Sequence, residues 1–102
     1  MRILFKDVGK PVRQLIIPNE LRVMQMLIGG YIEPVYLTAE SALICNEEGK
    51  INDMKVNFRL NDNDWVFGPA LFVGVDGEEF CSLSDEEVEH IKKCFEEETN
   101  VK

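Results

Sequence analysis

The sequence contains few of the side chains that carry out catalysis or bind metals. It has three cysteines, Cys45, Cys81 and Cys94, an odd number with no CxxC spacing, and each lies among apolar neighbours. This pattern predicts small buried residues in a reducing compartment and argues against a disulfide framework or a zinc site. A thiol enzyme would require one of these cysteines to react in the folded protein.

Histidine is almost absent. His90, the single one, is expected on the polar side of a helix, one turn after Glu86 and Glu87, where a local charge pair would hold it. Acid–base catalysis would therefore depend on surface carboxylates or on one solvent-facing imidazole. We expect a protein that is not an enzyme and that uses neither a cofactor nor a metal ion.

Long apolar segments and an excess of basic residues are both missing. No run approaches the roughly 18 apolar residues of a membrane-spanning helix, and the MRILFKDVGK start lacks the apolar segment of a signal peptide. We expect a cytoplasmic protein that does not bind membranes. With 19 acidic and 11 basic residues the formal charge is −8, which disfavours nucleic-acid binding.

Two interpretations of the acidic charge are open. Much of it lies in the terminal EEETN segment and in the NEEG and DGEE turns, which favours an ordinary solvated surface. A DNA-mimicking inhibitor would instead require carboxylates spaced like phosphates along one rigid face.

The most informative stretch runs from Ile28 to Lys50 and predicts the end of a helix followed by a β-hairpin. Gly29 and Gly30 end the helix, YIEPVYL and SALIC have the length and apolarity of strands, and NEEGK is a polar turn. Because proline cannot donate a ladder hydrogen bond, Pro34 places its strand at a sheet edge or at a bulge.

Turn and cap residues define the remaining elements. Strands are predicted at Arg2–Lys6, Val12–Ile17, Ala70–Val75 and Phe80–Leu83, with a hairpin turn at Asp76-Gly77. Helices are predicted from Glu20 to Ile28 behind an Asn19 cap, and from the Ser84 and Glu87 capping box to about Glu97. The Asn- and Asp-rich segment 51–64 is predicted to be a helical turn or an irregular loop, which Trp65 and Phe67 clamp onto the core.

These elements predict one α+β domain at residues 1–98, with a frayed tail at residues 99–102. Their order is typical of a mainly antiparallel sheet built from three hairpins, with two helices packed on one of its faces. Hydrophobic residues make up 45% of the chain, enough for one core. An open sheet of this kind has an outer edge that offers a surface for a homodimer.

Taken together, five segments resemble a known family. GGYIEPVYL, ICNEEGK, the Asn and Arg of VNFRL, FGPALFVGVDGEEF and SLSDEEVE occur in the order and spacing of domain of unknown function 3846, a family of phage, plasmid and conjugative-element proteins. The family pattern usually has Asn-Arg-Arg-Leu before the last hairpin, and Phe58 replaces the first arginine here. The resemblance implies a small accessory protein of a mobile element, located in the host cytoplasm when phage-encoded. It implies no activity, cofactor or catalytic residue.

The leading hypothesis is a non-enzymatic protein that binds a host component and blunts or redirects it. The partner would be a host protein, bound through a sheet edge or an apolar patch. In the first alternative, the protein sequesters a small anionic ligand such as a signalling nucleotide. In the second, it is a structural or regulatory subunit with a permanent partner.

The polar segment and its flanks hold the candidate residues for an anionic ligand. Basic and amide side chains would hold the anion, and aromatic rings would stack on it. The candidate ligand-binding residues are Tyr31, Lys55, Asn57, Phe58, Arg59 and Trp65, with Lys50 as a further basic residue. Several also have a purely structural interpretation: Arg59 as an ion-pair partner, Asn57 as a turn former and Tyr31 as a half-buried strand residue.

Overall fold

A computed structural model describes residues 1–100 of the chain, with side chains described for residues 1–95. The strands are β1 (Arg2–Lys6), β2 (Arg13–Ile16), β3 (Ile32–Tyr36), β4 (Ser41–Asn46), β5 (Val56–Asn61), β6 (Asp64–Phe67), β7 (Ala70–Asp76) and β8 (Glu79–Cys81). The helices are α1 (Leu21–Ile28) and α2 (Asp85–Asn100). The α+β class predicted from the element order is confirmed.

The main sheet is antiparallel throughout and is built from the three predicted hairpins. Its strand order is β2-β1-β7-β4-β3, and β8 pairs with the end of β7 beyond the part that pairs with β1. Phe72 at the centre lies opposite Leu4 on one side and Leu43 on the other. Strand β3, which contains Pro34, is an edge strand, as the proline predicted.

Both faces of this sheet are covered, and the two helices lie on opposite faces. One core packs α1 through Met24 and Ile28 against the sheet, and the other packs α2 through Val88 and Ile91 against it. The prediction that both helices share one face is therefore wrong. Strand β4 is buried along its whole length, and so is β7 apart from its last residue, the pattern of strands covered on both sides.

The second face also carries a small separate sheet that the sequence did not indicate. Strands β5 and β6 pair as a two-stranded hairpin, and Phe58 and Val66 insert into the core beside α2. The predicted loop at 51–64 is thus wrong for its second half. The Asn and Asp residues masked the alternation of Phe58 and Leu60 with polar neighbours, which is the signature of a half-buried strand. Trp65 is 47% exposed, so Phe58 and Val66, not Trp65, anchor this hairpin.

Two of the four predicted helix ends are confirmed. Gly29 ends α1 in the left-handed conformation with φ 85°. At the start of α2, Ser84 N donates to Glu87 Oε1 and Glu87 N donates to Ser84 Oγ, which completes the capping box.

Two helix ends differ from the prediction. Asn19 does not cap α1, because its Nδ2 donates to Phe80 O at 2.8 Å and ties the helix entry to β8. Helix α2 extends to Asn100, and residues 101 and 102 of the predicted tail lie outside the described residues.

Candidate functional site

A large cavity lies between α2, the turn that joins β3 to β4, and β5. We call it the groove, and its volume is about 750 Å³. It is lined by Leu37–Ser41 of the turn, Phe58–Leu60 of β5, Phe72 of β7, and Glu86, Glu87, His90, Ile91, Cys94 and Phe95 of α2. This volume is within the range of small-molecule and short-peptide sites.

Three phenylalanine rings form the base of the groove. The Phe58 and Phe95 rings meet edge to face with centroids 5.0 Å apart, and Phe72 lies 6.0 Å from Phe58 and 5.8 Å from Phe95. Interlocked rings of this kind pack favourably and are stiff, because each has few rotatable bonds. The groove therefore offers a preformed apolar surface.

The charged residues around the groove are mostly acidic. Glu40, Glu86 and Glu87 line it together with one arginine, Arg59, and with His90. Within the part of the chain whose side chains are described, Arg59 has no salt bridge, so the ion-pair interpretation of this residue is not supported. At neutral pH the carboxylates outnumber the arginine three to one, which favours a neutral or cationic occupant over an anion.

Strand β5 borders the groove with consecutive residues, next to the register shifts of its pairing with β6. Three consecutive residues, Phe58, Arg59 and Leu60, line the cavity, although side chains on a strand alternate between faces. In the described residues β5 pairs only with β6, and no further hydrogen bond involves the backbone of Phe58–Leu60. One wall of the groove is thus an unpaired strand edge.

The predicted ligand residue Asn57 has a structural role. Its Nδ2 donates to Lys6 O at 2.7 Å and to Gly68 O at 2.8 Å, and its Oδ1 accepts from Lys6 Nζ at 2.9 Å. These bonds fasten the small hairpin to β1. Both N–H groups of the amide are engaged, so Asn57 has no donor left for an anionic ligand.

The other predicted residues are not gathered in one place. Phe58 is buried in the groove base, Lys55 is exposed outside it, and Tyr31 is exposed at the start of β3 and is not half-buried as predicted. Arg59 lies opposite Trp65 in the β5–β6 pair, so the two residues are neighbours on the outer face of the hairpin. They border different cavities, however.

A second, smaller cleft lies on the other side of the small hairpin. Its volume is about 290 Å³, and Trp65, Lys50, Glu33 and Asp64 are among its lining residues. Lys50 Nζ is 5.5 Å from the centroid of the Phe67 ring. The basic residue predicted here as an anion ligand thus already packs against an aromatic ring of the protein.

The three cysteines differ in their exposure to solvent, which the sequence did not predict. Cys45 is buried, and burial together with the nearby Glu33 and Asp64 carboxylates raises the pKa of its thiol to about 11. Burial, with Asp76 and Glu87, also raises the pKa of Cys81. Cys81 is half-buried and Cys94 is exposed, so the prediction that all three are buried is confirmed for Cys45 alone. Cys94 Sγ lies 3.9 Å from His90 Nε2 in the groove wall.

Sequence reasoning identified Phe58 and Arg59 but missed the helical wall of the groove. Glu86, His90 and Cys94 are spaced by four residues and form one stripe beside the buried face of α2. That spacing shows that they share a face. His90, exposed as predicted, contacts Cys94, and no salt bridge joins it to Glu86 or Glu87 among residues 1–95.

Two further site types are absent from the described residues. No group of three or more His, Cys, Asp or Glu side chains is placed to hold a metal ion. None of the helices there combines the length and the apolar composition that crossing a bilayer requires.

Comparison with known proteins identifies the family. A protein-family model described as domain of unknown function (DUF3846) matches residues 1–96. The chain belongs to this family. In this DUF3846 chain, the match spans every residue that lines the groove, from Leu37 to Phe95. No curated protein and no solved structure matched the chain.

Proposed function

We propose that this DUF3846 chain is a non-enzymatic accessory protein of a phage or another mobile element. It acts in the host cytoplasm by binding a host protein and blunting or redirecting its activity. The binding site is the groove, and the bound part of the partner is a short segment that is both apolar and basic. The observation that carries this proposal is the combination of a phenylalanine base with three carboxylates around it.

The negative charge around the groove favours an apolar, basic partner segment over an anionic ligand. A nucleotide would bring several negative charges close to Glu40, Glu86 and Glu87, with only Arg59 to offset them. Like charges brought together in a partly desolvated site oppose binding. A lysine or arginine side chain of a partner would reverse the sign of this interaction, while its apolar neighbours cover the phenylalanine rings.

The test is fluorescence anisotropy with two labelled probes, a short peptide of alternating leucine and lysine and a matched peptide of alternating leucine and glutamate. We expect the lysine probe to bind and the glutamate probe to bind at least about tenfold more weakly, because it repeats the charge of the groove. Equal binding of the two probes would contradict the proposal.

A pair of variants on α2 supplies the matched control. Glu86 and Glu89 are both exposed in the first two turns of the helix, but only Glu86 lines the groove. We expect Glu86→Lys to weaken binding of the lysine probe by about three- to tenfold and Glu89→Lys, with the same change in net charge, to leave it within about twofold. Equal effects would show that general charge, not the groove, attracts the probe.

The same probe and variants apply to a host protein that is captured with the chain from infected cells. We expect the lysine probe to displace it from the chain, and we expect Glu86→Lys, but not Glu89→Lys, to release it. Native mass spectrometry of the same samples measures whether the chain forms the predicted homodimer. Its proposed contact is one of the two sheet edges, β2 or β3.

A second candidate function is sequestration of a small anionic ligand on the outer face of the small hairpin. One observation favours it: Arg59 and the exposed Trp65 lie directly opposite each other there. Native mass spectrometry of gently purified protein would then show an adduct in the nucleotide mass range that Arg59→Ala removes. An adduct that survives this substitution, or no adduct, contradicts the candidate.

A further inference from the structure

The wall of the groove formed by β5 indicates how a partner segment binds. Phe58, Arg59 and Leu60 line the cavity in succession, and their backbone groups on that side have no hydrogen-bond partner within the described residues. Unpaired N–H and C=O groups of a strand edge are a template for another strand. We infer that the partner segment binds in extended form along this edge and adds a third strand to the β5–β6 hairpin; this inference rests on the proposed function.

The groove is lined by both β5 and α2. A strand that pairs with β5 would lie about 4.8 Å from it, inside a cavity that residues of α2 also line. The edge offered by Phe58–Leu60 spans about 10 Å, which matches three residues of a partner. Strand addition between a strand edge and a facing element gives affinity through the backbone and specificity through alternate side-chain positions.

Alternation then determines the sequence of the partner segment. In an extended segment, every second side chain would point to the phenylalanine base of Phe58, Phe72 and Phe95. The intervening side chains would point towards the rim, where Glu40 and Glu86 lie. The segment therefore has apolar and basic residues in alternation.

The edge of β3 is less suited to this role than the edge of β5. Strand β3 has Pro34 at its centre, which removes one donor from that edge. Residues Phe58–Leu60 contain no proline and no lysine; they carry one charge, on Arg59, and the two register shifts of the β5–β6 pair lie on either side of Phe58 and Arg59. The edge of β5 is thus the one that combines an open backbone with a large apolar cavity.

The experiment uses the whole chain and three versions of the leucine–lysine peptide. One is unmodified, one is N-methylated at the leucine amides and one at the lysine amides. Alternate amides of a strand point to opposite sides, so only one methylated set would face β5. We expect one methylated peptide to bind about tenfold or more weakly and the other to bind within about threefold of the parent.

Hydrogen exchange of the same complexes gives an independent readout. On binding of the parent peptide, we expect one or more of the backbone amides of Phe58–Leu60 to exchange at least about tenfold more slowly. Exchange at Lys55, which lies outside the groove, should not change. A peptide with the same composition but with leucines and lysines in two blocks should bind more weakly, because its side chains do not alternate.

The outcomes separate this inference from the proposed function. If both methylated peptides bind like the parent and the β5 amides exchange as before, strand addition is wrong, while a Glu86→Lys effect would still support groove binding. If the parent peptide does not bind, or if Glu86→Lys and Glu89→Lys act alike, the proposed function and the inference both fail.

Discussion

Two hydrogen bonds join Asn57 and Lys6 across the two sheets of this protein. Asn57 Nδ2 donates to Lys6 O at 2.7 Å, and Lys6 Nζ donates to Asn57 Oδ1 at 2.9 Å. The same Nδ2 donates to Gly68 O. One amide thereby positions the small hairpin on the main sheet, and with it the strand edge that lines the groove.

This relationship predicts a clear cost for Asn57→Ala. The substitution leaves two part-buried carbonyl oxygens, of Lys6 and Gly68, without this donor, and such losses cost about 1–3 kcal/mol. Urea denaturation measures the change in the free energy of unfolding. Asn63→Ala is the matched control in the exposed turn of the same hairpin, and it should change stability by less than about 0.5 kcal/mol. Equal losses would contradict the bracing role of Asn57.

A second prediction compares how much the two bonding partners of Arg2, Asp85 and Leu83 O, contribute to stability. Arg2 forms a salt bridge of 2.7 Å with Asp85, whose side chain is 89% exposed, and Nε and Nη2 of Arg2 also donate to Leu83 O. Exposed ion pairs contribute about 0–1 kcal/mol, so Asp85→Ala should have a small effect. Arg2→Ala should cost more, about 1–3 kcal/mol, because it also removes the bonds that hold the entry to α2. Thermal denaturation of both variants measures this difference, and equal losses would show that the salt bridge dominates.

The capping box predicts a defined loss of stability at the start of α2. Ser84→Ala removes the Oγ that accepts from Glu87 N, and such losses typically cost about 1 kcal/mol. Ser84→Asp keeps an acceptor and should restore most of the stability. Chemical denaturation followed by circular dichroism provides the measurement, and an Ala variant as stable as the Asp variant would argue that the cap contributes little.

The three cysteines should react in a fixed order. Cys94 is exposed, whereas the raised pKa values of Cys45 and Cys81 keep their thiols protonated at neutral pH. Iodoacetamide labelling of the folded protein, read by peptide mass spectrometry, should modify Cys94 first and Cys45 last. Labelling of Cys45 as fast as Cys94 would show that its surroundings open readily.

The raised pKa of Cys45 also gives a pH dependence of stability. Its pKa is about 11 in the folded protein against 9.0 for an unperturbed thiol, so the folded state holds the proton more tightly. The contribution of this thiol to stability is complete below pH 9 and is lost as the pH rises towards 11. Cys45→Ala should remove this part of the alkaline decline, as urea denaturation at several pH values would show. An unchanged decline would assign it to other groups.

Much of the fold could be predicted from local signals, and the site could not. Glycines and the capping box mark turns and helix ends within a few residues of themselves, so Gly29 and Ser84 were interpreted correctly. Strand β5 was missed because its polar residues resemble a turn. The bonding partners of Asn57 lie 51 and 11 residues away, and nothing in the local sequence indicates them.

The groove illustrates the same limit. Its walls come from residues 37–41, 58–60 and 86–95, which only the packing of α2 beside the small hairpin brings together. Local periodicity shows which face of α2 is buried. It does not show which residues of other elements lie next to that face. The four-residue spacing of Glu86, His90 and Cys94 is the one signal in the sequence that could have drawn attention to this wall.

The most direct test of groove binding is an NMR titration of the uniformly ¹⁵N-labelled chain with the leucine–lysine peptide. We expect the largest amide shifts in the residues that line the groove, which include residues 37–41, 58–60, 86, 87, 90, 91 and 94. Trp65, the single tryptophan, lines the second cleft. The chemical shift of its indole N–H should therefore not change. Shifts centred on Trp65 and the β3 edge, or no shifts at saturating peptide, would contradict the assignment of the groove as the binding site.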